Sequence, residues 1–267
     1  MDLNTVTSLR RATSRPELTL QPGERILGGG TWLFSEPQVG TTGLVDLTSM
    51  GWPTIEYVDD GLRIGATCTI AELAELPEHN GWLAHPLFFQ CASALLASFK
   101  IWNIATVGGN VCQSFAAAGM VSLCAALDGT ALIWRPDGDD YEIPVEKLIT
   151  GNGQNSLAHG DVLRWIDLPG HALRARTGYR KIALHDLGRS GAVLTGRVDH
   201  DGSAVFSMTA ATLWPTVLRY PALPDAPTLA VDVSAADGYY TDPLGVADWR
   251  RQVSIVLLEE IRADLAG

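Results

Sequence analysis

Two glycine-rich segments hold the residue types best suited to chemistry. The first runs Ile26-Leu27-Gly28-Gly29-Gly30-Thr31-Trp32-Leu33. Three successive glycines carry no Cβ, so their backbone amides can come close to an anion. Thr31 adds a hydroxyl. The spacing is not a Rossmann fingerprint, because G-x-G-x-x-G needs glycine at position 33, where Leu33 stands. Nor is it a P-loop, since no Gly-Lys-Ser/Thr follows. A tight structural turn explains the same residues about as well. The second segment runs Asn103-Ile104-Ala105-Thr106-Val107-Gly108-Gly109-Asn110-Val111. Thr106 and Asn110 flank its two glycines, and an asparagine amide suits a phosphate, a ribityl hydroxyl or a ring edge. A Gly-Gly bulge in a packed core is the structural alternative. Two such segments 80 residues apart point to one shared diphosphate ligand.

Other chemistries are thinly represented. There is no G-x-S-x-G and no His-Glu-x-x-His. The six histidines are scattered and read as surface residues. Asp59-Asp60 and Asp139-Asp140 sit in turn-like contexts, which explain paired carboxylates better than acid/base catalysis does. Cys68, Cys91, Cys112 and Cys124 form no C-x-x-C pair, so no zinc or iron–sulfur site is expected within the chain, and they read as buried small apolar residues. Arg174, Arg176, Arg180 and Arg189 form a basic cluster. A solvated face is its default reading, and contact with an anionic ligand or partner comes second.

The elements that must position these segments are legible in outline. Leu3–Ala12 reads as a first helix with Leu3, Val6 and Leu9 on one face. Arg25–Leu27 and Gly43–Leu47 read as strands around the first glycine segment. Ile55–Val58 and Leu62–Gly65, joined by Asp59-Asp60-Gly61, read as a hairpin. Thr69-Ile70-Ala71-Glu72 is a capping box opening a helix that runs to about Leu76. Helices are expected over Leu87–Phe99 and Gly119–Leu127, and strands over Thr130–Trp134 and Asp161–Leu168. Strand-like segments follow at Thr177–Ala183, Gly191–Arg197 and Ser203–Leu213, and an amphipathic helix over Ala247–Leu265. The irregular mixture with frequent hairpins predicts an α+β fold.

Length and charge bound the rest. The 267 residues are 46% hydrophobic and 18% charged, enough for a sizeable core. A net charge of -11 argues against nucleic acid and anionic membranes as partners. Residues 1–170 carry 9 basic and 19 acidic side chains, whereas residues 171–267 carry 10 and 11. That shift, with the polar, basic stretch Gly170–Thr177, places the best domain boundary near residue 170. The stretch 79–127 has a single charged side chain, Lys100, yet Pro86, Asn103 and Gly108-Gly109-Asn110 interrupt it too often for a membrane span. The start of the sequence is polar, with no signal-like apolar run, so a cytoplasmic protein is expected.

Taken together, the two loops resemble those of the FAD-binding medium subunit of the molybdenum hydroxylases, the family of xanthine dehydrogenases and aerobic carbon monoxide dehydrogenases. Gly28–Leu33 matches its Ala/Gly-Gly-Gly-Thr/His-x-Leu loop, and Thr106–Asn110 its Thr-Ile/Val-Gly-Gly-Asn loop, in order and spacing. The resemblance extends to Ile64–Leu73, Leu127–Thr130, Tyr179-Arg180-Lys181 and Trp249-Arg250-Arg251. It implies a p-cresol methylhydroxylase-type FAD domain of two α+β subdomains over residues 1–170, and a small α+β domain over 171–267. It implies an FAD held by Leu27, Gly28, Gly29, Gly30, Thr31, Trp32 and Leu33 with Thr106, Gly108, Gly109 and Asn110. Leu163 would pack near the flavin ring, and Lys181 would stand beside it, where a cation stabilises the reduced anionic ring.

The resemblance further implies a heterotrimer. A large subunit would carry the molybdenum cofactor, a small one two 2Fe–2S clusters, and electrons would pass through the FAD to NAD or another acceptor. The sequence departs from the pattern at Trp102, where Arg is usual, and at Ala116 and Gly119, which replace a Pro-x-x-Asp whose carboxylate holds the ribityl chain. Losing that charge-assisted bond costs roughly 1.5–3 kcal/mol. Stacking by Trp102 would partly offset it. The rival readings are a scaffold subunit without FAD and a stand-alone flavoprotein oxidoreductase.

Overall fold

The computed structural model describes residues 3–185 and 188–267. The chain opens with β1 (Ser8–Arg11), β2 (Glu24–Leu27) and β3 (Gly43–Asp46), which form a parallel sheet in the order β1-β3-β2. Next come β4 (Ile55–Val58), β5 (Gly61–Gly65) and five helices: α1 (Ile70–Ala74), α2 (Pro86–Ser93), α3 (Phe99–Trp102), α4 (Val107–Gln113) and α5 (Gly119–Ala126). β6 (Thr130–Trp134), β7 (Asp140–Pro144), α6 (Val145–Leu148), the small hairpin β8 (Ile149–Gly151) and β9 (Gln154–Asn155), and β10 (Val162–Leu168) follow. Strand β10 inserts between β5 and β6, giving an antiparallel sheet of order β4-β5-β10-β6-β7. After α7 (Gly170–Arg174), strands β11 (Arg176–Ala183), β12 (Ser190–Val198), β13 (Ala204–Thr209) and β14 (Thr216–Tyr220) form an antiparallel meander, and α8 (Ala226–Ala235) and α9 (Ala247–Ala266) close the chain.

Two main apolar cores result, beside smaller clusters such as Ala12, Leu18, Val45, Leu47 and Val162 at the N-terminal sheet. One joins Leu62, Ile64, Ile133, Ile166 and Leu168 of the five-stranded sheet to Leu73, Leu87, Phe88, Val111 and Leu123 of the helices. The other joins Leu194, Phe206 and Met208 of the meander to Leu229, Val233, Leu258 and Ile261. Eight of the nine residues of β12 are buried, as expected for a strand covered on both faces. Helices α8 and α9 pack on one side of the meander and α5 on the other. The cross-strand pair Gly178 and Gly196 makes room for Ile261, since a Cβ at either would come within 2.7 and 2.5 Å of its Cγ2.

The N-terminus corrects one expectation. Leu3–Ala12 is not a helix: a turn closes at Val6, and Ser8–Arg11 is strand β1. Leu9 is 55% exposed, so the proposed apolar stripe has nothing to bury against. Arg10 instead donates from Nε and Nη2 to the Glu24 carboxylate, at 2.8 and 2.6 Å, and to the carbonyls of Glu17 and Thr19. The β-branched run Thr5-Val6-Thr7 also favours extended backbone. The helix expected over Leu87–Phe99 ends at Ser93, and residues 94–98 turn before α3. The strand expected over Ser203–Leu213 stops at Thr209, because Ala210 takes a left-handed φ of 60°. The stretch Gly170–Thr177, expected to be polar connection, includes α7, with Ala172 and Leu173 buried in the first core. Strand β14 and helix α8 had no counterpart in the sequence reading.

Arginines on the meander reach the first core, and another is buried within the second. Arg197 on β12 donates to the Ala126 carbonyl at 2.7 Å and pairs with Asp128, just beyond α5, and with Asp199. Arg219 bridges Asp128 and Glu146 at 2.9 and 2.8 Å. Arg250, fully buried, donates to the carbonyls of Gly191 and Ala210, pairs with Asp242 and lies 4.2 Å from the Tyr240 ring centroid.

The N-terminal sheet carries a pH dependence. The Arg10 guanidinium, with help from the Gln21 amide, lowers the Glu24 carboxyl from 4.5 to about 2. A carboxyl depressed on folding stabilises the fold above its unfolded value and loses that contribution as pH falls through the folded one. Urea unfolding between pH 5 and pH 2.5 should therefore show roughly 2 kcal/mol of acid-dependent loss. Glu24→Gln should remove this component and be less stable at neutral pH.

Candidate functional site

Residues Gly28 to Leu33 leave the end of β2 and turn back at Gly30, whose φ of 72° suits glycine. The amides of Gly28, Gly29, Gly30, Thr31, Trp32 and Leu33 donate no hydrogen bond among the described residues. All six residues line the same recess, so the loop brings a run of unspent donors to its wall. Such an arrangement suits an extended anion. Gly29 is there for a second reason: a Cβ at that position would stand 1.8 Å from the carbonyl oxygen of Ile104. The first loop thus lies with its backbone directly on the second.

The second loop is built differently. Thr106 caps α4, and its Oγ1 accepts from the Gly109 amide at 3.0 Å. The amides of Val107 and Gly108 go to the carbonyls of Cys68 and Ala66, at 2.8 and 3.0 Å, and that of Asn110 to Thr106. The glycines of this loop therefore do not offer free amides. Gly108 instead permits close packing on Ala66, whose Cβ would lie 2.6 Å from a Cβ at 108. Asn110 spends its Oδ1 on the Met120 amide at 2.9 Å, within the first turn of α5, while its Nδ2 has no partner among the described residues.

Together the loops line a cavity of about 600 Å³. Leu27, Gly28, Gly29, Gly30, Thr31, Trp32 and Leu33 meet Thr106, Gly108, Gly109, Asn110 and Leu163 in its wall. Leu163 is buried on β10, where a register shift before Trp165 interrupts the ladder with β6. Trp102 and Lys181 are not in that wall. Trp102 packs on the first core and meets Phe89 edge-on at 5.9 Å, so stacking on a ligand in this cavity is not its position here. The Lys181 ammonium lies 3.5 Å from the Ser93 carbonyl oxygen.

Several lining residues had no signal in the sequence. Leu95, Leu96, Ala97, Ile101 and Ala105 make an apolar side. Phe115 meets Trp32 edge-on at 4.6 Å. Asp161 also lines the cavity, its carboxylate receiving the Tyr141 hydroxyl at 2.9 Å and the Ala158 amide at 3.0 Å, and Tyr141 is raised to about 12, first by burial. Arg189, read as part of a solvated cluster, is in the wall as well. Cys112 lines the cavity too, but burial raises its thiol to about 12, and the other three cysteines are buried. A second recess of about 730 Å³ shares Ile26, Leu33, Gln113 and Leu157 with the first and contains the buried Thr41 hydroxyl, which has no partner among the described residues. No helix among the described residues is long and apolar enough to cross a membrane.

Comparison with known proteins agrees with this arrangement. The family described as "FAD binding domain in molybdopterin dehydrogenase" matches residues 3–171. The chain is 29% identical over 171 residues to the XdhB protein of Escherichia coli strain K12, and 28% identical to the xanthine dehydrogenase FAD-binding subunit of Escherichia coli O157:H7. Each match takes in 62% of this chain but only 57% of the relative. Among solved structures, quinoline 2-oxidoreductase from Pseudomonas putida 86 superposes with a TM-score of 0.82 over 100% of this chain and 98% of that one, at 19% identity. Reconstituted CO dehydrogenase from Oligotropha carboxidovorans gives 0.83 over 98% and 97%, at 21% identity. At such identities these structures establish the fold.

The contact between loops gives a direct test. Gly29→Ala sets a methyl group against backbone that cannot yield cheaply, whereas Thr106→Val removes only the cap. The first should lower the urea unfolding midpoint by the equivalent of several kcal/mol, the second by about 1 kcal/mol.

Proposed function

The chain belongs to the family of FAD-binding domains of molybdopterin dehydrogenases, and we propose that it binds one FAD and acts as the flavin-bearing subunit of a molybdenum-hydroxylase-type oxidoreductase. One observation carries the reading: a loop with six unspent amides and an apolar floor line a single recess. The residues present fit the cofactor. The amides of Gly28–Leu33, with the Thr31 hydroxyl and Asn110 Nδ2, would hold the diphosphate and ribityl oxygens. Val162, Leu163 and the Leu95–Ala97 side would take the ring system and keep water from it. The adjoining recess with Thr41 lengthens the site, as a two-ring ligand requires.

Bound FAD would supply a carrier that accepts electron pairs and passes electrons on. The chain's own part is to bind, orient and shield it. In this reading residues 1–170 form the cofactor-binding domain and residues 171–267 a smaller domain behind it. Partner subunits would bring the molybdenum cofactor and the 2Fe–2S clusters, since burial raises the four thiols here and no group of three metal-ligating side chains occurs among the described residues. Electrons would leave to NAD or another acceptor in the cytoplasm.

The site differs from the pattern implied by the resemblance at Gly119, and the structure gives the reason no carboxylate stands there. A Cβ at 119 would lie 2.2 Å from the Cys91 carbonyl oxygen, so α5 packs on α2 too closely for any side chain. The affinity thus rests on the amide row. Reconstitution of the purified chain with FAD, followed by desalting and release of the cofactor, should yield one FAD per chain and a flavin absorption band. A colourless chain, both alone and in its native complex, would favour the scaffold reading instead.

A further inference from the structure

Three arginines are buried among the described residues, and two of them have carboxylate partners. Arg197 has Asp128 and Asp199, and Arg250 has Asp242. The third, Arg164, is 9% exposed, and its side chain makes no hydrogen bond or ion pair among the described residues. Its Nε is fully buried, whereas its terminal nitrogens are not sealed from solvent. Indole rings surround the guanidinium instead. Those of Trp52, Trp165 and Trp134 have centroids 4.3, 5.0 and 5.5 Å from Cζ. A bulge in β10 makes this possible: pairing with β6 passes from Leu163 to Trp165 and leaves Arg164 out of the ladder. Leu163 lines the cofactor cavity, and Arg164 is not part of that wall. Arg63 and Arg15 flank the group, over Trp165 at 3.9 Å and Trp134 at 4.6 Å, but pair with Asp167 and Asp140. Glu56, exposed on β4, acts on Arg164 only at longer range. Burial accordingly lowers the pKa of Arg164, whereas their carboxylates raise those of Arg10, Arg63 and Arg180.

We propose that Arg164 and its three indoles form a binding site, separate from the cofactor cavity, for a monocarboxylate carried on a flat apolar body. A buried cation without a counter-charge is costly, and ring faces replace its lost hydration only in part. A planar guanidinium fork matches a carboxylate through two parallel hydrogen bonds. With Nε sealed, that approach is end-on, to Nη1 and Nη2. The three indoles are each part-exposed, so they offer a ligand apolar surface next to the charge. Charge selects a monoanion. The flanking arginines are neutralised by Asp167 and Asp140, Glu56 stands nearby, and the chain carries a net charge of -11, so a second negative charge on the ligand is repelled. The proposal does not depend on the chain binding FAD.

The test is a titration of the purified full chain with benzoate, read by tryptophan emission and by calorimetry. One benzoate per chain should bind saturably, with acetate weaker and inorganic phosphate weaker still. Arg164→Gln should weaken benzoate by about tenfold or more, and Arg164→Lys, which keeps the charge but loses the fork, by less. Arg174→Gln, an equal loss of charge at an arginine that pairs with Asp60 at 2.8 Å, should leave binding in place. Because a buried position can fail on substitution, the exposed Glu56→Gln gives a second reading: removing this negative charge should tighten benzoate by about twofold. Absence of saturable binding overturns the proposal. Binding that is equal in wild type, Arg164→Lys and Glu56→Gln places benzoate elsewhere, the cofactor cavity included, and overturns it too. Phosphate that binds as tightly as benzoate and is lost with Arg164 assigns the site to a small inorganic anion and overturns the monocarboxylate.

Discussion

The carbonyl oxygen of Ile104 occupies the space that any side chain at position 29 would need. Much of the site depends on that contact of backbone with backbone. It brings the strand-end loop of the parallel sheet onto the segment that leads into α4. That segment is itself fixed, through the amides of Ile70, Val107 and Gly108, to the turn after β5. The first loop can then keep its amides unspent, because its position is set by packing and not by its own hydrogen bonds. The two glycine segments divide the work: one supplies donors, the other supplies closeness.

That division explains what the sequence could and could not disclose. The two motifs, the capping box at Thr69 and Glu72, the hairpin at Asp59–Gly61 and the last helix all follow from local rules and stand where those rules put them. The roles within the second motif did not follow. Gly-Gly next to Thr and Asn looks like an amide cradle, and only the partners of the Val107 and Gly108 amides, Cys68 and Ala66 in the turn after β5, show it to be a packing element. The N-terminal segment misled for a similar reason. Its Leu-Val-Leu spacing is helical, but the parallel sheet and the Arg10–Glu24 pair lie outside any local window. Arg189 was indistinguishable from its neighbours in sequence, because its place in the cavity wall follows from the course of the chain into β12 and not from its residue type.

The halves of the molecule are held by a few polar contacts set in apolar surroundings. Arg197 reaches from the meander to the end of α5, and the Ser122 and Thr209 hydroxyls meet at 2.5 Å across the same junction. Such contacts add little net energy compared with apolar packing, yet removing one partner strands a buried charge at a cost of about 3–5 kcal/mol. They fix the angle at which the meander lies against the helices. Since Arg189 belongs to the meander and the amide row to the first sheet, the shape of the cavity wall depends on that angle.

Strand β10 lies between β5 and β6 although some 100 residues of chain separate it from β5. During synthesis, the hairpin β4–β5 and the pair β6–β7 emerge first, each with an edge that has no neighbour. Val162 and Leu163, the floor of the cavity, arrive only with the strand that joins them. At translation speeds of about 5–20 residues per second, the nascent chain waits several seconds with both edges open. Its first two-thirds must therefore be completed before a cofactor can be retained, and open edges of this kind are where a growing chain is most exposed to wrong pairing.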